Sequence, residues 1–239
     1  MRLMQKRLAG LLKRLWRWLL WLLLICAVGS VMAVLLLRWV DPPTSAVILQ
    51  RLASGGSPQR QQWVDIDRIS PHMALAVVAA EDQRFPDHRG FDTEQIIAAV
   101  ERRLDGGRLR GASTISQQVA RNVFLWQGRS FLRKGLEVWF TGLLELLWSK
   151  RRILEMYLNF AEMGDRTFGV RAASQRYFGA GPDRLDSAQA ALIAAVLPNP
   201  VVYRVDKPSA YVRKRRDWIL QQMRNLGGPA YLAGVLGER

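Results

Sequence analysis

The stretch "AVVAAEDQRFPDHRGFD" (residues 76–92) passes within two residues from an unbroken apolar run into a crowd of charge, at Glu81 and Asp82. Together with the preceding "PHMAL", whose Pro71 suits a first helical turn, its apolar half reads as a helix hydrophobic on most faces and therefore central in a core. A carboxylate ending such a helix is partly desolvated, which raises its pKa toward values useful for proton transfer. Glu81 is thus a candidate for chemistry, the alternative being an ordinary solvated helix-end acid. Asp82 reads as the residue whose hydrogen bonds fix the following turn, Phe85 as its packing and Gly90 as its point of reversal. His88 and Asp92 read as further support.

Outward from this stretch the periodicity stays helical. Thr93 is the expected N-cap of "EQIIAAVERRL", closed by Gly106 and Gly107. Ser113 or Thr114 can cap "ISQQVARNVFL", and Ser130 can cap the long "FLRKGLEVWFTGLLELLW". Helical segments follow at "KRRILEMYLN", "GVRAASQRYFG" and "SAQAALIAAVL", the last stopped by Pro198, and a basic helix is expected from about Pro208 to Leu226. One strand is expected near Val47–Leu49. The predicted fold class is mainly α.

Residues 18–37, "WLLWLLLICAVGSVMAVLLL", form an uncharged run of the roughly 20 residues that a helix needs to cross a bilayer. Arg2, Lys6, Arg7, Lys13, Arg14 and Arg17 precede it without an acid, which predicts a cytoplasmic N-terminus and a domain on the outer face of the membrane. A cleaved signal peptide is the competing reading. It is disfavoured because Arg38 and Trp39 separate the long apolar run from the small-residue site at Thr44–Ala46. The organisation read here is a basic N-terminus (1–17), a transmembrane helix (18–37), a connector (38–59) and one domain (60–239).

Seven basic residues up to Arg38 account for part of the net charge of +15; the remaining 28 basic and 20 acidic residues leave a net +8 beyond them. Such a domain attracts anionic headgroups or phosphorylated lipids, and the topology disfavours nucleic acid. The single cysteine, Cys26, lies in the apolar run, which excludes a disulfide or a thiolate metal site in the domain. His72 and His88 are too few for a histidine-built metal site.

Two further clusters can carry chemistry. Glu137 stands four residues after Arg133, beside Lys134, with Arg129 and Arg121 upstream. This is either a solvated i,i+4 pair or a pocket for a diphosphate, with or without a divalent ion; arginine suits phosphate because its planar fork binds two oxygens at once. In "GASTISQQVARN" (residues 111–122), Gln117 and Gln118 lie on adjacent faces, so one amide should point inward, where it can read hydroxyls or a polar headgroup.

Five blocks, "EDQRFPDHRGFD", "GASTISQQVARN", "RKGLE", "KRRILEMYLN" and "GVRAASQRYFG", resemble in order and spacing the five motifs of the family 51 peptidoglycan glycosyltransferases, over roughly residues 60–225. One anchor and no room for a transpeptidase domain suggest the monofunctional biosynthetic members. The resemblance implies a lysozyme-like helical glycosyltransferase domain after one N-terminal transmembrane helix, placed in cell-wall biogenesis at the bacterial inner membrane. It implies a polymerase that joins lipid II disaccharide units through β-1,4 bonds with inversion and releases undecaprenyl diphosphate. Glu81 would be the general base and Glu137 the second essential acid, either holding Mg²⁺ or Mn²⁺ or ordering the basic groups. Arg129, Arg133 and Lys134 would offset charge on the leaving diphosphate, and Ser113, Gln117, Gln118 and Arg121 would contact the sugar and phosphate region.

No organic cofactor is implied. The expected partners are lipid II and the growing lipid-linked glycan, the membrane, and cell-wall synthesis or division proteins. Two positions depart from the motifs: Arg121 stands where lysine is usual, which leaves its geometry open, and Ala180 stands where many members have a lysine. The competing functions are a hydrolytic cousin that cleaves finished glycan, which needs no diphosphate site, and a catalytically idle anchor protein.

Overall fold

The computed structural model describes residues 2–55, 62–104, 113–128 and 130–237, in two units, 1–40 and 41–239. The first is a single helix, α1 (Arg2–Leu36), followed by a turn. Within it Gly10–Leu36 has a mean hydropathy of 2.8 over its most apolar window and is long and apolar enough to cross a membrane. Leu22, Leu23 and Ile25 are unburied by the protein itself, as lipid-facing side chains must be. The helix extends N-terminal to the apolar run, so the basic segment continues the same helix.

Every helix and turn described in the second unit is α or 3-10, with one isolated bridge between Glu162 and Phe168. Ser45 caps α2 (Ala46–Ala53) by accepting from Ile48 N. This corrects the strand expected at Val47–Leu49: three apolar residues are too few to separate the two periods, and the capping serine settles the matter. Since α2 packs against α5 (Ile115–Phe124) and belongs to the compact unit that starts at Asp41, the folded domain begins earlier than residue 60.

The core is built on α3 (Pro71–Glu81), whose residues Met73–Ala79 are all buried, against α9 (Ser187–Val196) and α10 (Ala210–Asn225). Being apolar all round, α3 can be surrounded on every side. A second group comprises α5, α6 (Phe131–Leu147) and α7 (Lys150–Phe160), with α8 (Val170–Phe178) following. Thr114, Ser130 and Ser149 cap α5, α6 and α7.

Asp92, not Thr93, caps α4 (Thr93–Leu104): its Oδ1 accepts from Gln95 N at 3.0 Å. A carboxylate one residue earlier reaches the free amide of the first turn and favours the positive end of the helix. The expected Gly106–Gly107 stop lies outside the described residues. Three short 3-10 segments, Ile66–Arg68 before α3, Pro182–Arg184 between α8 and α9, and Gly228–Leu232 before α11 (Ala233–Gly237), complete the described part of the unit.

Candidate active site

The turn after α3 is fastened by Asp82, which is 1 % exposed. Its Oδ2 accepts from Ile115 N at the start of α5 (2.9 Å), and both its oxygens lie within 3.0 Å of His88 Nε2. Gly90 N donates to His88 Nδ1 at 3.1 Å, so Nε2 carries the ring proton and donates to Asp82. Gly90 has φ +84°, and a Cβ there would come within 2.8 Å of Thr141 Cγ2 and 2.9 Å of Glu145 Cγ on α6. Lys150 Nζ adds a cation over the buried Phe85 ring at 4.6 Å and donates to Glu145 at 2.9 Å. The turn is thereby tied to α5, α6 and α7.

This scaffold holds Glu81 at the last position of α3. Its Oε2 accepts from Gln118 Nε2 at 3.0 Å, and its Oε1 lies 3.4 Å from Arg215 on α10. Burial pushes the Glu81 carboxyl above its ordinary value; the Gln118 hydrogen bond and the charges of Arg215 and Arg121 pull the other way without cancelling it. Tyr157 donates to Gln118 Oε1 at 3.4 Å. Burial, reinforced by the Glu81 charge, holds the tyrosine hydroxyl well above its ordinary pKa, so it remains a donor and turns the amide's NH₂ toward Glu81.

Glu137 is 1 % exposed on α6, with Arg133 on one carboxylate oxygen (2.7 Å) and Lys134 on the other. Burial alone would raise its pKa, but the hydrogen bonds from Lys134 and Arg133, with the charge of Arg121, outweigh it and leave the group below its ordinary value. Arg121 acts on both Glu81 and Glu137. An open cleft of about 470 Å³ is lined by the polar side chains Gln118, Arg121, Asn122, Arg133 and Tyr157, together with Val47, Ala161, Glu162 and residues of the Leu197–Pro200 turn.

Gln118 is therefore the amide that faces the cleft and Glu81, while Gln117 is the more buried of the two. Gln117 is 6 % exposed and its Oε1 accepts from Thr114 N at 3.0 Å in a capping box, which gives this side chain a structural role at the start of α5. Ser113 precedes that cap half-buried. Arg129 lies outside the described residues. Arg215 and Tyr157 did not figure among the expected site residues. Arg215 was detectable, since it shares a helical face with Val212 and the buried Ile219; Tyr157 sits in a quoted block without a charge to mark it.

A divalent ion held by the protein does not fit these residues. Both Glu137 oxygens are already occupied by cations, and among the described residues no three His, Cys, Asp or Glu side chains converge. Of the two expected roles for Glu137, ordering the basic groups is the one its contacts support.

The sequence model of the transglycosylase family matches residues 46–224. This chain belongs to that family. Family membership makes the domain a glycosyltransferase of the lysozyme-like helical kind. The chain is 51 % identical over 226 residues to the protein named biosynthetic peptidoglycan transglycosylase from Xanthomonas campestris pv. campestris (strain B100), covering 92 % of each. Proteins of the same name from Pseudomonas syringae pv. syringae (strain B728a) and Pseudomonas entomophila (strain L48) are 49 % and 51 % identical over 237 residues, covering 97 % of this chain and 99 % of theirs. The family match begins at the first residue of α2 and so includes that helix in the transglycosylase domain.

Proposed function

We propose that this transglycosylase polymerises peptidoglycan glycan from lipid II, with Glu81 as general base. The carboxylate takes the proton from the 4-hydroxyl of the acceptor sugar as that oxygen attacks the anomeric carbon of the donor. The new C–O bond forms on the face opposite the departing lipid diphosphate, so an α-linked donor gives a β-1,4 product. The electron pair of the broken bond leaves on undecaprenyl diphosphate.

The observation that carries this reading is the pairing of a buried, proton-avid Glu81 with an arginine-lined cleft reached through the same Gln118. Gln118 and Arg215 hold the base in one orientation. In the same cleft, Arg121 and Arg133 offer preorganised positive charge to the oxygens of the leaving diphosphate. Glu137, whose carboxyl these cations hold below its ordinary value, keeps the Arg133 and Lys134 heads gathered rather than splayed into solvent. A glycan hydrolase has no use for such charge, which weighs against the hydrolytic alternative.

The basic flank before the apolar run favours an N-terminus in the cytoplasm of a bacterial inner membrane and a catalytic domain on its outer face, where lipid II presents its sugar. Incubation of the purified full chain with labelled lipid II tests the assignment. The expected result is a ladder of glycan with loss of lipid II, whereas degradation of sacculi with lipid II untouched overturns it.

A further inference from the structure

Helix α2 touches two walls of the cleft with consecutive side chains. Gln50 Nε2 donates to Leu125 O at 3.1 Å, and its Oε1 accepts from Gln127 N at 2.5 Å. One amide thus satisfies a donor and an acceptor of the segment joining α5 to α6, as a neighbouring strand would. That segment includes the cleft residues Gln127 and Gly128. Arg51, the next residue, holds both oxygens of Glu162 on the other wall, at 2.9 and 3.2 Å. Glu162 in turn accepts from Arg166 N at 3.0 Å, and Val47, one turn earlier on α2, lines the cleft itself.

We propose that α2 is a clasp that sets the spacing of the cleft walls, with Gln50 as the positioning residue for the 125–128 segment. This segment has no other side-chain amide gripping it from both sides among the described hydrogen bonds. Were α2 only packing, its polar side chains would not need to engage backbone groups on the cleft rim. The clasp rests on the reading of the cleft as the donor diphosphate site. Its loss should weaken substrate binding more than the chemical step, because Glu81 and its partners lie on other elements.

The test is steady-state kinetics of the full chain on lipid II, comparing Gln50→Ala and the isosteric Gln50→Glu, with thermal midpoints alongside. Expected is a KM raised about 10-fold for Gln50→Ala with kcat within about 2-fold, the signature of lost uniform binding. Gln50→Glu fills the same space yet places an oxygen against Leu125 O, so it should be at least as impaired at neutral pH. Its KM should recover relative to the parent chain as pH falls, because the introduced carboxyl gains a proton and can donate again. A merely space-filling Gln50 predicts a parent-like KM for Gln50→Glu at every pH, and that result overturns the clasp. Loss of folding in Gln50→Ala leaves the pH-dependent recovery of Gln50→Glu as the deciding measurement. If the parent chain does not consume lipid II at all, the failure lies in the functional reading and not in α2.

Discussion

As the proposed general base, Glu81 combines two properties that pull against each other: it must be ionised to take a proton, and its buried site disfavours ionisation. Folding therefore raises its pKa, so the folded state binds this proton more tightly than the unfolded chain does. The stability cost is absent below the unfolded carboxylate value and develops as pH rises through the interval up to the folded one. Glu81→Gln should then raise the thermal midpoint at pH 7, with the gain fading toward pH 4, while polymerisation falls about 10²-fold or more. Parallel melting and turnover assays check both. The pH–rate profile of the parent chain should lose activity on acidification with a midpoint above the ordinary carboxylate range. Removing a cation that opposes this rise, in Arg215→Ala, should move the acid limb to higher pH still, and a limb that stays in place would show that Arg215 does not act on the base.

At the scale of elements, the α3–α4 turn and α6 hold the site through contacts that tolerate little change. An alanine at Gly90 must accept a left-handed φ and displace Thr141 and Glu145, which should cost about 2–4 kcal/mol by denaturant unfolding. Glu137→Ala leaves a nearly buried Arg133 without its partner, with an expected loss of about 2–4 kcal/mol, discounted from a fully buried pair because Lys134 is half exposed. Much of this layout is legible in the amino-acid order: the all-apolar α3, the serine and threonine caps, and the acid at the end of the central helix. Less legible were features set by tertiary contact. Gln117 and Gln118 look alike in sequence, and only the capping geometry separates the structural amide from the one that meets Glu81. Arg215 hides among basic neighbours because charge counting ignores which helical face each one takes. The apolar start of α2 is too short for its period to be read, and its role depends on partners some 75 to 111 positions away.

Taken whole, the molecule joins a helix that suits a bilayer to a catalytic domain carrying a net positive charge beyond the anchor. Attraction of that domain to anionic lipid is screened within a Debye length of about 8–10 Å at 0.10–0.15 M salt. Turnover of lipid II in anionic vesicles should accordingly fall with added salt more steeply than in neutral ones, and identical salt curves would remove the domain's charge from the account. If one buried carboxylate drives glycan polymerisation beside a cationic cleft, neutralising it must abolish the product. The most direct test is gel analysis of glycan made from labelled lipid II by the parent chain and by folded Glu81→Gln. A ladder is expected from the first and almost none from the second. Near-equal ladders would contradict that role of Glu81.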